Sequence, residues 1–352
     1  MADVQARAAD IGRLARELDP DVLVVQEVTS KAIAGALAQA IGSGYHVACS
    51  DFTQGDAGNH GALEVAVFSR LPIDQFIEYD VMPDNGAGDP DEAALFPPSL
   101  PGLSLTPRPA RGFLWARIDA LGLTVTAVHL KSSRGASGQA DYRNSQSREY
   151  VAAPVAASVN KDLGLYPDYT VLVAGDFNVA HADARKNGED LTSDDPSDPN
   201  APDGYDETHA LLWGGLVSGL EMTNLSAGIS QSSYPSFPQN SPIDNIDVAG
   251  DGAGSFAPAQ LSSETFGSEH LAVATTYTPA TPPGPEFLAG ASVPERADAA
   301  EPGAAAELVG KRVRVRVGGA RDPDHTGTVK RVGGGWLVLS VDEGEAAKPG
   351  CY

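Results

Sequence analysis

The sequence predicts a layered α/β domain followed by a small all-β unit. Three observations carry that prediction. Strongly β-type runs, DVLVVQEV (21–28), LEVAVFSR (63–70), LTVTAVHL (123–130) and TVLVAGDF (170–177), alternate with helix-like stretches over residues 3–18 and 145–159, and strands and helices mixed on this scale pack as layers. From Pro279 to about Gly310 the chain is rich in Pro, Ala and Gly and poor in large apolar residues, which is the composition of a linker. Beyond it RVRVRV alternates with period two, and TGTVKRV and GWLVLSV follow Gly-containing turns, so residues 311–345 read as three or four short antiparallel strands of a small barrel. The expected divisions are a domain over 1–278, a linker over 279–310 and a basic β-barrel-like unit over 311–352.

Composition narrows the class further. The chain has 352 residues, 42% of them hydrophobic, enough to fill a sizeable core and to exclude global disorder. No apolar run approaches the roughly 18 residues needed to span a bilayer. Cys49 and Cys351 sit near opposite parts of the chain in no CxxC or Cys/His pattern, which excludes a disulfide framework and a cysteine zinc site. Lack of disulfide potential makes the cytoplasm the default compartment, and secretion would need a signal peptide upstream of the present start. With 24 Lys+Arg against 47 Asp+Glu the net charge is −23, which argues against broad affinity for phosphate backbones but not against a locally neutralised cleft. The charge is uneven: Lys311 to Arg331 holds seven basic and two acidic residues, so that segment is +5 and the remainder −28.

Along the chain, the first helix places Ile11, Leu14 and Leu18 on one stripe and has no apolar core of a targeting signal. Gln26 and Glu27 then follow four apolar residues of DVLVVQEV, so Glu27 is expected to leave a buried strand, where an unpaired carboxylate is costly and a metal ion or Arg relieves it. His129 ends the run LTVTAVH, and in GDFN the side chains of Asp176 and Asn178 flank Phe177 and share one side of the chain. From Asp183 to His209 the sequence turns Asp-, Asn- and Pro-rich without hydrophobic period and reads as a solvated surface loop; the Asp190 to Asp206 spacing does not fit an EF-hand. Asp244 in SPIDNIDVAG opens a further strand, and Glu269 and His270 in GSEHLAVA immediately precede another. Two histidines, several carboxylates and an Asn at strand ends match the needs of metal-assisted phosphoester hydrolysis: hard oxygen ligands, a base for water and donors for phosphate oxygens.

These segments, QE at 26–27, HLKS at 129–132, GDFN at 175–178, PID at 242–244 and SEH at 268–270, resemble in order the motifs of the endonuclease/exonuclease/phosphatase family, over about residues 3–278. The resemblance implies a four-layer α/β sandwich with two facing mixed β-sheets, deoxyribonuclease-like, and an active site at the strand ends. It implies Glu27 as a metal ligand, with Glu269 as a second carboxylate where the family has Ser-Asp-His. It implies His270 as the water-activating base, Asp244 as the group fixing its tautomer, Asp176 and Asn178 as positioning the nucleophile and phosphate, and His129 as a general acid or phosphate clamp. Glu64 is a loose candidate for orienting His129. Arg111 and Arg148 are candidate phosphate contacts, each weighed against an ordinary salt bridge, and a groove lined by Arg108, Arg111, Lys131 and Arg134 would favour nucleic acid.

The resemblance thus implies an Mg²⁺-dependent phosphodiesterase, with Mn²⁺ or Ca²⁺ as alternative cations. A nuclease acting on nucleic acid is the leading expectation, and a small-molecule or lipid phosphoester the alternative substrate. The resemblance also implies a strand bearing an Asn ahead of the first helix, whereas this chain opens inside that helix; the expectation is a start placed too late or a fragment lacking one strand. A second expectation is a catalytically impaired relative that acts as an interaction protein. In that reading Arg312, Arg314, Arg316, Lys330 and Arg331 of the C-terminal unit, which loosely resembles SH3-like barrels, would hold a polyanion.

Overall fold

In the computed structural model the described residues are 2–28, 31–42, 44–50, 64–79, 111–133, 142–181, 206–213, 220–236, 240–250 and 254–279, with 312–315, 325–333 and 336–341 toward the C-terminus. By contact the chain divides into a unit spanning Met1–Pro283 and a second spanning Gly284–Gly350. Arg108, Arg134, Cys351 and most of the linker lie outside the described residues.

In the first unit, α1 (Ala2–Leu18), β1 (Val22–Val28), α2 (Lys31–Ile41), β2 (His46–Cys49), β3 (Glu64–Ser69), β4 (Gln75–Tyr79), β5 (Phe113–Ile118) and β6 (Leu123–His129) lead to α3 (Tyr142–Leu165) and β7 (Thr170–Asp176). After these come α4 (Ala210–Trp213), β8 (Thr223–Asn224), β9 (Asp244–Ala249), β10 (Gly254–Phe256), β11 (Gln260–Leu261), β12 (Val273–Ala274) and β13 (Tyr277–Pro279). Every residue of β6 and β7 is buried. A strand apolar on both faces must be covered on both faces, and these two form the middle of a six-stranded sheet ordered β4-β5-β6-β7-β9-β8. The sheet is mixed: β6 and β7 run parallel, joined by the α3 crossover, and the other pairs are antiparallel. A three-stranded sheet, β1-β3-β2, is antiparallel, and β10 with β13 and β11 with β12 form two further antiparallel pairs.

Three apolar clusters stack these elements. The first joins α1 and α2 to one face of the small sheet through Ala8, Ala15, Leu37, Ile41 and Phe68. The second fills the space between the sheets, where Ala48, Val65 and Val67 meet Leu114, Ala116, Val125 and Leu172. The third packs Val151, Ala152, Val155 and Val159 of α3 on the outer face of the large sheet, against Val171, Val173 and Phe177. Helix, sheet, sheet, helix is therefore the layer order, as expected. The two-residue alternation of β6, LTVTAVH, explains how one strand serves two clusters: Val125 and Ala127 face the other sheet and Val128 faces α3.

Several expectations are corrected locally. Leu18 is 41% exposed, because the apolar stripe of α1 ends at Leu14 and Ala15 and the chain leaves the helix at Asp19 with φ 48°. The helix read at 145–159 runs from Tyr142 to Leu165 through Pro154; losing one backbone donor there is offset by the apolar face buried around it. The end of the presumed solvated loop is core: Asp206, Glu207, Thr208 and His209 are fully buried. Among the described residues no strand pairs with the outer edge of β1. In the second unit, β14 (Arg312–Val315), β15 (His325–Gly333) and β16 (Trp336–Val341) form a three-stranded antiparallel sheet, which matches the expected strand count but describes no closed barrel.

Two positions in the large sheet yield predictions. Gly175 has φ 145°, and a Cβ there would lie 2.0 Å from the carbonyl oxygen of Val128 in the neighbouring strand. Gly175→Ala is expected to destabilise the protein by about 2 kcal/mol or more, read as a lower denaturation midpoint in urea; an unchanged midpoint would contradict the close strand approach. Asp247, opposite Val173 in β9, is fully buried, and neither carboxylate oxygen has a hydrogen-bond partner among the described residues. Burial raises its pKa well above the ordinary value. As pH rises through the ordinary carboxylate range, the unfolded chain loses this proton and the folded chain keeps it, so stability falls by up to about 1.4 kcal/mol per pH unit until the folded group ionises. Asp247→Asn removes that dependence: its melting temperature should exceed that of the native chain at pH 8, with the gap closing toward pH 4. A gap independent of pH would refute this account.

Candidate active site

The parallel register of β6 with β7 sets His129 opposite Asp176, and the antiparallel register of β7 with β9 sets Asp176 opposite Asp244. Directly paired residues share a face, and adjacent strands lie about 4.8 Å apart. Three polar groups therefore line up across three neighbouring strand ends, on the face that turns toward the smaller sheet. His129 Nε2 lies 3.7 Å from Asp176 Oδ2. His270, preceding β12, brings Nδ1 to 2.7 Å from Asp244 Oδ2.

Glu27 approaches from the other sheet. The register of β1 against β3 shifts between Val25 and Val28, and Glu27 itself has φ 59°. This β-bulge re-aims a side chain that a regular strand would send elsewhere. The carboxylate is 65% exposed, not buried as expected, with Oε1 3.9 Å from His129 Nε2. The strand is only half-buried up to that point, so the cost assumed for a core carboxylate does not arise.

Asp176 is the buried member of the group. Burial, and then the neighbouring charge of Asp244, push its carboxyl well above the usual range, against the pull of His270, the Asn178 amide and Arg111. Burial pulls His270 down, but the hydrogen bond to Asp244 and the charges of Asp244, Asp176 and Glu27 outweigh it and raise the imidazole above its ordinary value. Among the described residues, ligand atoms of Asp176, Asp244 and His270 all lie within 4.8 Å of one another. Two carboxylates and an imidazole, with a buried carboxyl whose proton affinity is raised by burial and by the neighbouring Asp244 charge, fit a hard divalent cation.

Asn178 holds the Asp176 carboxylate rather than reaching outward. Its backbone N–H donates to Asp176 Oδ1 at 2.7 Å, and its side-chain amide donates to Asp176 Oδ2 and to the Leu130 carbonyl, each at 2.9 Å. Both amide hydrogens are thus committed, which corrects the expected phosphate contact. The left-handed φ of 57° that permits this turn is one that Asn tolerates.

The two arginines part company. Arg111 donates from Nη1 to the Leu130 carbonyl at 3.1 Å, and its Nε has no partner among the described residues; burial lowers its pKa while Asp176, Glu27 and Glu64 support its charge. Its guanidinium thus stands within electrostatic reach of Asp176 and Glu27. Arg148 is fully buried, pairs with Asp206 through Nη2 at 2.6 Å and Nε at 2.8 Å, and donates to the Lys131 carbonyl at 2.8 Å. The expected substrate contact is corrected to an internal ion pair. Glu269 is also corrected: it is exposed, accepts a hydrogen bond from Tyr234 Oη at 3.2 Å and stands outside the three-residue ligand group.

Some supporting residues carried no sequence signal. Phe177, between Asp176 and Asn178, turns to the opposite face and stacks on His209 with ring centroids 5.0 Å apart. His209 Nε2–H donates to the Val179 carbonyl at 3.0 Å, and its Nδ1 accepts from Trp213 Nε1 at 3.3 Å; burial pushes its pKa down to about 4, so the ring is a neutral brace behind the GDFN turn. Tyr234 stacks on the other histidine, His270, at 4.8 Å.

Among solved structures, the chain resembles an endonuclease/exonuclease/phosphatase from Beutenbergia cavernae (18% identity, TM-score 0.49, covering 78% of this chain and 67% of that one). It also resembles beta toxin 275-280 from Staphylococcus aureus (17%, TM-score 0.46, 78% and 92%) and truncated Caenorhabditis elegans TDP2 (13%, TM-score 0.44, 78% and 91%). No curated protein matches the chain. The model of one family covers residues 2–291, nearly the whole of the first unit and more than half of the sequence. On that match the chain belongs to the endonuclease/exonuclease/phosphatase family.

Proposed function

We propose that the chain hydrolyses phosphodiesters with the help of a divalent cation, Mg²⁺ in the first instance, and that its substrate is nucleic acid. The observation that carries the chemistry is the in-register row of His129, Asp176 and Asp244, with His270 hydrogen-bonded to its end at 2.7 Å. The HLKS segment at 129–132 resembles the deoxyribonuclease and sphingomyelinase branches alike; of the two, nucleic acid is the leading substrate and a lipid phosphoester the alternative.

Asp176 and Asp244, with Glu27 facing them, would hold the cation, which when bound compensates phosphate charge and lowers the pKa of water. When His270 carries a single proton, Asp244 accepts its Nδ1–H and the Nε2 lone pair can take the proton of the attacking water; the same hydrogen bond and acidic charges that raise the imidazole's pKa then stabilise the imidazolium. The buried Asp176 carboxylate, fixed by two hydrogen bonds from Asn178, whose amide is itself anchored on the Leu130 carbonyl, orients that water without reorganising. His129, 3% exposed, contacts the phosphate or the leaving oxygen from the opposite side of the row, and the positive charge of Arg111, within electrostatic reach of Asp176 and Glu27, favours phosphate binding there.

Plasmid nicking and release of p-nitrophenol from bis(p-nitrophenyl) phosphate, each with Mg²⁺ or Mn²⁺, test this reading beside sphingomyelin vesicles as the lipid alternative. Chelation should abolish turnover, and His270→Ala should lower kcat by roughly 10²- to 10⁴-fold. Equal rates for the native chain and His270→Ala would sink the mechanism; cleavage of the lipid alone would reassign the substrate.

A further inference from the structure

We propose that Ser233 and Tyr234 form a positioning clip for the Asp244–His270 pair, an inference that rests on the reading of that pair as the proton-transfer unit. The two halves of the pair come from segments separated by 26 positions, and the hydrogen bond between their side chains does not by itself fix either backbone. Ser233 does. It is fully buried, and its Oγ accepts the N–H groups of both Ile243 and Asp244 at 3.1 Å. Its own carbonyl accepts the N–H of Leu271, next to His270, at 2.7 Å. One residue thus anchors the start of β9 and the segment carrying the histidine.

Tyr234 extends the hold to the side chain. Its ring stacks on His270 with centroids 4.8 Å apart and 28° between planes, and its hydroxyl donates to Glu269. The ring restricts imidazole rotation while Nδ1 meets Asp244. Ser232 shapes the turn, accepting the Tyr234 N–H with Oγ at 3.1 Å. The same network reaches the neighbouring strand, since the Ile243 carbonyl accepts the N–H of Phe177 at 2.9 Å. Loss of the Ser233 hydroxyl leaves two amides unsatisfied at the point where Asp244 enters its strand, one of them buried, and frees the catalytic pair to drift.

Ser233→Ala, Ser233→Thr and Tyr234→Ala are compared with the native chain by melting temperature, steady-state kinetics on the hydrolysed phosphodiester, and the proton NMR signal of His270 Nδ1–H, assigned by its loss in His270→Ala. The alanine variants should lower kcat by roughly 10- to 100-fold with KM nearly unchanged, and weaken or broaden the His270 signal, with Ser233→Thr retaining both. In an Asp244→Asn background the effect of Ser233→Ala on kcat should collapse, because the clip acts through Asp244. A folded Ser233→Ala with native kcat and an unchanged His270 signal would overturn the proposal, as would equal losses in both backgrounds. Tyr234 is only partly buried, so Tyr234→Ala decides the matter if Ser233→Ala unfolds. A native chain without hydrolytic activity defeats the functional reading alone, and the NMR comparison still decides the clip.

Discussion

Strand register is the constraint on which the candidate site depends. His129, Asp176 and Asp244 face the same way and stand one strand apart only because β6, β7 and β9 end at the same level. A slip of one residue in either pairing would turn a member of the row toward α3 and its apolar cluster. The pairing is held by the cores on both sides: valines and alanines of the three strands alternate between the inter-sheet cluster and the helix-facing cluster. Hydrophobic packing thereby pays for the precision of a polar site that contributes little stability itself.

The site carries a cost that the surrounding structure offsets. Asp176 is buried beside another carboxylate, and both Glu27 and Asn178 occupy left-handed backbone conformations, of a kind that costs on the order of 1–3 kcal/mol each and concentrates where function constrains the chain. Behind them lies a rigid backing: Phe177 against His209, His209 between Val179 and Trp213, and Arg148 locked to Asp206. A buried ion pair of this kind adds little net stability, yet removing one partner costs about 3–5 kcal/mol. It ties α3 to the chain just ahead of α4, and so acts on the GDFN turn from behind.

Legibility followed the range of the interaction that made each feature. The four apolar runs announced β1, β3, β6 and β7 because each of these strands packs apolar side chains on both faces, only half-buried in β1 and fully buried in β6 and β7, and GDFN and SEH could be read because their polar residues interrupt such runs. Short strands such as β2 and β4, and the four-residue α4, carry too few residues for a period to emerge. The segment 206–209 misled because Asp, Glu, Thr and His read as solvated; Asp206 pairs with Arg148, the Glu207 N–H donates to Glu149, and His209 meets Phe177 and the Val179 carbonyl, partners distant in sequence. Arg148 and Glu269 went astray for a related reason: charge and position suggested a site, and the partner that claims each, Asp206 or Tyr234, comes from a distant segment.

By itself the sequence determined the layered α/β class, the central strands and the set of histidines and carboxylates at their ends, since alternation and apolar runs are local properties of the chain. Tertiary structure alone decided which of those groups meet. It joined His270 to Asp244 across 26 residues, committed Asn178 to Asp176, left Arg111 facing the site while burying Arg148, and brought in Ser233 and Tyr234 without any motif. The physical reason is that a hydrogen bond is settled within a few tenths of an ångström, a precision set by the packing of whole sheets and absent from any pattern along one strand.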